Sequence, residues 1–237
     1  MSDDRVAPDG RRLRWQRHNE ARREAVIEAA IKVLEAQAPG EEFQIQPVAD
    51  EAGLARTVIY RYFDDRADLD RSVQRRICEL LGAKLFPALH YDGTPEEILR
   101  RVVDAFVRWS VDHPTLLWYV ERDLSGWGPS PLTEAFEQLA LAIERLVNAV
   151  VGYSGVQLGE DDRSALDPWV FGLVGATFTA IRRWCSRPER KPDVDAFIEI
   201  IAESIWFQLD GMAAARGVSM PAGKVSDLIH DLGNVGT

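Results

Sequence analysis

At 237 residues, 46% hydrophobic and 28% charged, the chain is long enough for one large domain, or a small one joined to a larger, and apolar enough to bury a sizeable core. A formal net charge of -10 argues against a surface that binds nucleic acid all over, and the two cysteines, Cys78 and Cys185, have no CxxC spacing, so buried thiols are expected rather than a disulfide framework or metal knuckle. No apolar run reaches the ~20 residues of a membrane span and the start lacks the apolar centre of a signal peptide, so a cytoplasmic protein without a membrane partner is expected.

Between Arg11 and Arg23 six arginines (11, 12, 14, 17, 22 and 23) face one acid, Glu20. A local basic arm, residues 1–19, on an acidic body suits a protein that touches DNA at one end. From Ala21 to Ala36, Val26, Ile27, Ala30, Ile31 and Leu34 recur at helical spacing. Short helices are expected over Pro47–Ala52 and Arg56–Phe63, with a turn at Gly53-Leu54. A longer helix is expected over Ala67–Phe86, with Asp68 and Asp70 in its first turn and Pro87 closing it. Thr94-Pro95-Glu96-Glu97 starts a helix to His113, before Pro114. Another covers Thr115–Asp123, Ser125–Pro131 reads as a loop, and Leu132–Val151 is again helical. Two last helices are expected over Pro168–Arg187 and Val194–Arg216, followed by a glycine-rich, partly disordered tail over 218–237. The expected class is all-α, of about nine helices.

The segment from Ile45 to Phe63 has the chemistry of a helix-turn-helix. Val48 and Ala49 give its first helix a small inner face, Gly53 supplies the tight turn, and Leu54 and Ile59 plug the junction. Val48-Ala49, Ala52-Gly53-Leu54 and Ile59-Tyr60-Arg61-Tyr62-Phe63, then Arg66 and Leu69, resemble the pattern of the tetracycline-repressor (TetR) family. That pattern is isoleucine-alanine, alanine-glycine-valine, leucine-tyrosine-x-x-phenylalanine and lysine-x-x-leucine. Two positions depart from it: Ala55 stands where a serine or threonine usually caps the recognition helix, and Arg66 where lysine is usual.

The resemblance implies a three-helix DNA-binding domain over 20–80, with the helix-turn-helix at 44–63, and an effector-binding and dimerisation domain over 81–217. By side-chain reach, Arg56, Thr57 and Val58 are expected at base edges, and Tyr60, Arg61, Tyr62 and Arg66 at phosphates. Arg14, Arg17 and Gln46 complete the expected DNA contacts. Tyr60 is also suited to packing the small core, and Phe63 is expected there.

Six of the seven tryptophans, 109, 118, 127, 169, 184 and 206, lie in the larger part. By the resemblance, an apolar effector pocket is expected among Phe106, Trp109, Leu117, Trp118, Phe136, Leu139, Thr177 and Phe178. Ser110, Glu121 and Arg182 are candidate polar groups, and a hydrophobic effector, an acyl chain among the candidates, is expected. Gly172, Gly175, Ala176, Thr179 and Arg183 on one helix, with Ile198, Ile201 and Ile205 on the next, are expected at a two-fold dimer interface. A homodimer would set two recognition helices about one DNA turn (~34 Å) apart on a palindromic operator.

No HExxH or ExxH pair, nucleophile elbow or phosphate-gripping glycine loop occurs, so neither catalysis nor a cofactor nor a metal is expected. The reading is a cytoplasmic, nucleoid-associated repressor of transcription that binds duplex DNA as a dimer and is released by a small hydrophobic effector. The alternative is a non-enzymatic helical ligand carrier that does not bind an operator.

Overall fold

Helical periodicity is realised throughout the computed structural model, which describes residues 10–122 and 129–227, with side chains from Arg17 onward. Among the described residues there is no strand, and the helices are α1 (Gly10–Glu35), α2 (Ile45–Glu51), α3 (Arg56–Ile59), α4 (Arg66–Ala88), α5 (Pro95–Asp112), α6 (Pro114–Val120), α7 (Pro131–Ser154), α8 (Glu160–Cys185) and α9 (Val194–Ala214).

The starts obey ordinary capping. Thr94 and Glu97 form a reciprocal capping box at α5, Asp65 and Asp193 accept from the third backbone N–H of α4 and α9, and Ser130 caps α7 ahead of Pro131. Several boundaries differ from expectation, among them α3, which ends at Ile59 rather than Phe63. α1 begins at Gly10, so the basic arm is largely helix rather than a separate element. α8 begins at Glu160, since the acids at 160–162 favour the helix dipole, and Pro168 lies inside it. Pro87 lies inside the last turn of α4, where few carbonyls remain to lose a donor. Of the expected 125–131 loop, Ser125–Gly128 lie outside the described residues, Trp127 among them.

α1, α2, α3 and the first turns of α4 close a small core around Val26, Ala30, Leu34, Phe43, Val48, Ile59, Phe63 and Leu69. A clamp from α1 to α4 holds it. The Arg23 guanidinium donates to both Asp68 oxygens at 2.8 and 3.0 Å, to Ser72 Oγ at 2.7 Å and to the Tyr62 carbonyl at 2.6 Å, while lying 4.3 Å from the centre of the Phe63 ring. α4 then runs unbroken past residue 80, so both halves share one helix and one continuous apolar core.

α6 is the wedge between the halves. Its Thr115 hydroxyl donates to the Gln37 carbonyl at 2.7 Å, and the buried Gln74 of α4 donates to the Tyr119 and Arg122 carbonyls at 3.2 and 2.9 Å. His113, just before it, meets Glu35 of α1 at 2.8 Å.

In the larger half α5 lies on α9, tied by Arg100–Glu199 and by Arg108–Asp195 at 2.7 Å, and α7 packs on α8. α8 is the one described helix long and apolar enough to cross a membrane, at hydropathy 1.2, where no such run was expected. Val170, Val174, Phe178 and Ile181 on its inner side are buried against the body, while most of its other residues are half-buried or exposed. Cys78 and Cys185 are half-buried and unpaired, and burial pushes the Cys78 thiol up to about 12, so it stays protonated.

The tail corrects an expectation of disorder over its first ten residues. Gly217, at φ +71°, ends α9, and the Val218 N–H turns back to the Ala213 carbonyl at 2.9 Å. The chain then returns across the body. Val225 is wholly buried, its N–H bonds the Gly93 carbonyl at 2.9 Å and that of Ser226 bonds Tyr91 at 2.8 Å, while Lys224 pairs with Asp92 at 2.7 Å.

Two outcomes test this packing. Val225→Asp should lower unfolding stability by roughly 2–3 kcal/mol, since a buried apolar contact becomes a buried charge; an unchanged denaturant midpoint would show a tail that contributes nothing. The hydrogen bonds of Arg23 hold the Asp68 carboxyl below its ordinary range. A depressed carboxyl contributes stability above its unfolded value of ~3.9 and loses it as pH falls through the folded value. Asp68→Asn should therefore be less stable than wild type at pH 7, with the gap closing on acidification below about pH 4.

Candidate nucleic-acid interface and effector cavity

Gly53, at φ +65°, turns the chain between α2 and α3, and the Leu54 N–H returns to the Ala49 carbonyl at 2.9 Å. Val48, Ala49 and Ile59 are buried on the inner side of this hairpin, as their spacing implied. Arg56, Thr57, Tyr60 and Arg61 are exposed on its outer side, Gln46 is exposed on α2, and Arg17 is exposed on α1. Val58 and Tyr62 are half-buried, and the side chain of Arg14 lies outside the described residues. Phe63 is buried in the small core, and Tyr60 is at the surface. α3 is four residues long, with Ala55 at its N-cap offering no side-chain bond.

Arg66 is tied inward. Its Nε donates to Asp70 at 2.7 Å and its Nη2 to the Phe43 carbonyl at 2.6 Å, with the guanidinium 5.0 Å from the Phe43 ring centre. Two of its donors are thus spent inside, and the side chain remains about one-third exposed, at 36%. Asp70 also accepts from the Tyr119 hydroxyl at 2.7 Å, and burial beside this carboxylate pushes the Tyr119 phenol well above its ordinary range, so it remains a donor.

A cavity of ≈ 280 Å³ lies at the end of the body away from the hairpin, among the C-terminal end of α4, α5, α7, α8, α9 and the tail. Its wall includes Leu85 and Leu89, Ile98 and Val102, Leu146 and Val150, Trp169 and Leu173, Trp206 and Leu209, and Val218 and Met220. Of the expected pocket residues, Phe106, Leu139 and Thr177 line it.

The others lie elsewhere, each for a visible reason. Phe178 stacks behind Phe106 at 5.8 Å and meets Phe136 edge-on at 5.2 Å, forming an aromatic floor under the cavity. Trp109 is buried against His113, Leu117 is core, and Trp118 is half-buried near Gly40. The Ser110 hydroxyl is spent on the Phe106 carbonyl at 2.8 Å, and Glu121 pairs with Arg182 at 2.6 Å. The charged residues that do line the cavity are Asp162 and Arg216, which nothing in the local sequence pattern sets apart.

The expected dimer residues divide between two environments. Gly172, Ala176, Thr179 and Arg183 are exposed along one side of α8, with Gly175 half-buried beside them. Ile198 and Ile205 are buried within the subunit and Ile201 is partly buried, because α9 turns its regular apolar stripe onto α5. Ile198 and Ile205 are therefore corrected as interface residues. The apolar side chains that α9 leaves uncovered are Ile200 and Phe207, 53% and 70% exposed. The sequence hides them because they lie between the members of the inward stripe.

No protein-family model matches the chain. Over 213 residues, 90% of this chain and 87% of the relative, it is 25% identical to an uncharacterized HTH-type transcriptional regulator of Mycobacterium tuberculosis. Over 86 residues, 36% of this chain and 44% of the other, it is 33% identical to the HTH-type transcriptional repressor LfrR of Mycolicibacterium smegmatis. The crystal structure of a TetR-family transcriptional regulator from Streptomyces coelicolor superposes with a TM-score of 0.59 at 17% identity, covering 92% of this chain and 98% of that one. In sequence the chain is thus a relative of HTH-type transcriptional regulators, and in fold it is a TetR-type protein.

Proposed function

We propose that the protein is a dimeric repressor that grips an operator through the exposed side of its helix-turn-helix and lets go when an apolar effector fills the distal cavity. The observation that carries this reading is α4. One unbroken helix has Arg66 and Asp70 under the DNA-binding hairpin at its start and Leu85 in the cavity wall near its end. A ligand that prefers a cavity shape with the far end of α4 displaced tilts the hairpin at the near end. Because a DNA turn fixes the half-site spacing, a dimer slightly too wide loses simultaneous contact. Each tenfold loss of operator affinity needs about 1.4 kcal/mol of coupling, and DNA must weaken ligand binding by the same factor.

For the dimer, the small-residue side of α8 lets a second backbone approach, and Ile200 and Phe207 of α9 supply the apolar contact beside it. For DNA, Arg56, Thr57 and Val58 are assigned to base edges and Arg17, Gln46, Tyr60, Arg61 and Tyr62 to phosphates, an assignment supported by the exposure of Arg56, Thr57, Tyr60 and Arg61 on the outer side of the hairpin. No catalysis enters this reading.

Three outcomes test it. On a duplex selected from a random pool, Arg56→Ala should cost about 1–3 kcal/mol and relax base preference, while Arg61→Ala should weaken all duplexes alike and flatten the salt dependence. The absence of salt-dependent, sequence-selective binding by wild type would favour a ligand carrier instead. Phe207→Asp should yield folded monomers that bind operator poorly, and sedimentation showing an intact dimer for both Phe207→Asp and Ile200→Asp would refute this interface.

A further inference from the structure

The cavity wall is hydrocarbon except where α8 begins and α9 ends, and the chemistry of that corner specifies a head group. Thr177 lies on the same wall, but its hydroxyl is spent on the Leu173 carbonyl at 2.8 Å. Asp162 and Arg216 remain. Arg216 Nε donates to Asp162 Oδ1 at 2.8 Å and Nη1 to the Met212 carbonyl at 3.0 Å, with both side chains about one-third exposed, at 33% and 32%. A guanidinium carries five N–H donors and no acceptor, whereas a carboxylate is acceptor only, with about four lone-pair sites. Two of the five donors are used among the described residues, and one carboxylate oxygen is engaged. The corner therefore offers donors and acceptors side by side at zero net charge.

Resting on the reading of this cavity as the effector site, we propose that its ligand is a neutral amphiphile: a hydrocarbon body that ends in a hydroxyl, accepting from Arg216 and donating to Asp162. The alternatives fail on charge or on pairing. A carboxylate would bring a second negative charge beside Asp162, and an ammonium a second positive charge beside Arg216, each in a largely apolar cavity. An ether accepts but leaves Asp162 without a donor, and a bare hydrocarbon leaves both groups facing alkane. At ~30 Å³ for a group the size of water, the ≈ 280 Å³ volume takes roughly nine such groups, a medium-length alkanol or an alkylated phenol.

The test uses the full chain and four probes of equal chain length, 1-octanol, octanoate, octylamine and octyl methyl ether. Binding is followed by calorimetry and by the emission of Trp169 and Trp206, which line the cavity. 1-Octanol should bind about tenfold tighter than each of the others, the worth of roughly one further well-made hydrogen bond. Asp162→Asn, which makes the corner cationic, should move the preference to octanoate, and Arg216→Met should move it to octylamine. Octanoate, octylamine or the ether equalling 1-octanol on wild type would overturn the head-group assignment while leaving the cavity as an effector site. So would both variants weakening all four probes alike, as a merely structural ion pair would. If none of the four gives heat or an emission change, the effector reading of the cavity falls as well.

Discussion

A buried carboxylate holds the two halves of the molecule in register. Asp70 is 5% exposed, and its oxygen takes both the Arg66 guanidinium and the Tyr119 hydroxyl at 2.7 Å. A charge so enclosed tolerates no missing partner, since breaking a buried pair typically costs about 3–5 kcal/mol. Arg66 in turn reaches the Phe43 carbonyl just before α2. Through three side chains the start of the helix-turn-helix, the first turn of α4 and the wedge helix α6 have one relative position.

In the proposed coupling, that joint makes α4 a lever rather than a tether. Held by Arg23 through Asp68 and Ser72 and by Arg66 through Asp70, its near end moves with the DNA-binding hairpin. Its far end borders a void through Leu85 and has one polar tie there, from Arg101 to the Ala88 carbonyl at 3.0 Å. Dispersion contacts around a cavity are incomplete, so the wall there has a cheaper route to rearrangement than a close-packed core. The tail adds to this wall: Val218 and Met220 line the cavity, while Lys224 and Val225 tie the chain to the loop between α4 and α5.

What was legible in the sequence follows from the range of the physics involved. The hairpin could be read because Val48, Ala49, Gly53, Ile59 and Phe63 act on neighbours a few residues away, and caps such as Thr94 with Glu97 are local. Arg66 could be read as a charge but not as a direction, since the Phe43 carbonyl it reaches comes from elsewhere in the chain. The tail was hidden because glycine-rich composition says nothing of Val225 meeting a loop more than a hundred residues earlier. The cavity was misplaced for a different reason. Large aromatics such as Trp109 and Trp118 fill space, whereas the void is bounded mostly by leucines and valines that look in sequence like any other core. What makes a pocket is the atom that is missing, and composition does not record it.

The brevity of α3 has its own consequence. A four-residue helix with no side-chain cap lies far below the ~12–15 residues at which an isolated helix becomes even marginal in water. Its shape is borrowed from Ile59 and Phe63, whose burial pins it to the rest of the small core. On the proposed role of α3, fidelity of base reading is then a property of the core packing behind it. Loosening that core would blur the distinction between right and wrong operators before it abolished attraction to DNA, because attraction needs only charge near phosphate, whereas discrimination needs a helix held still.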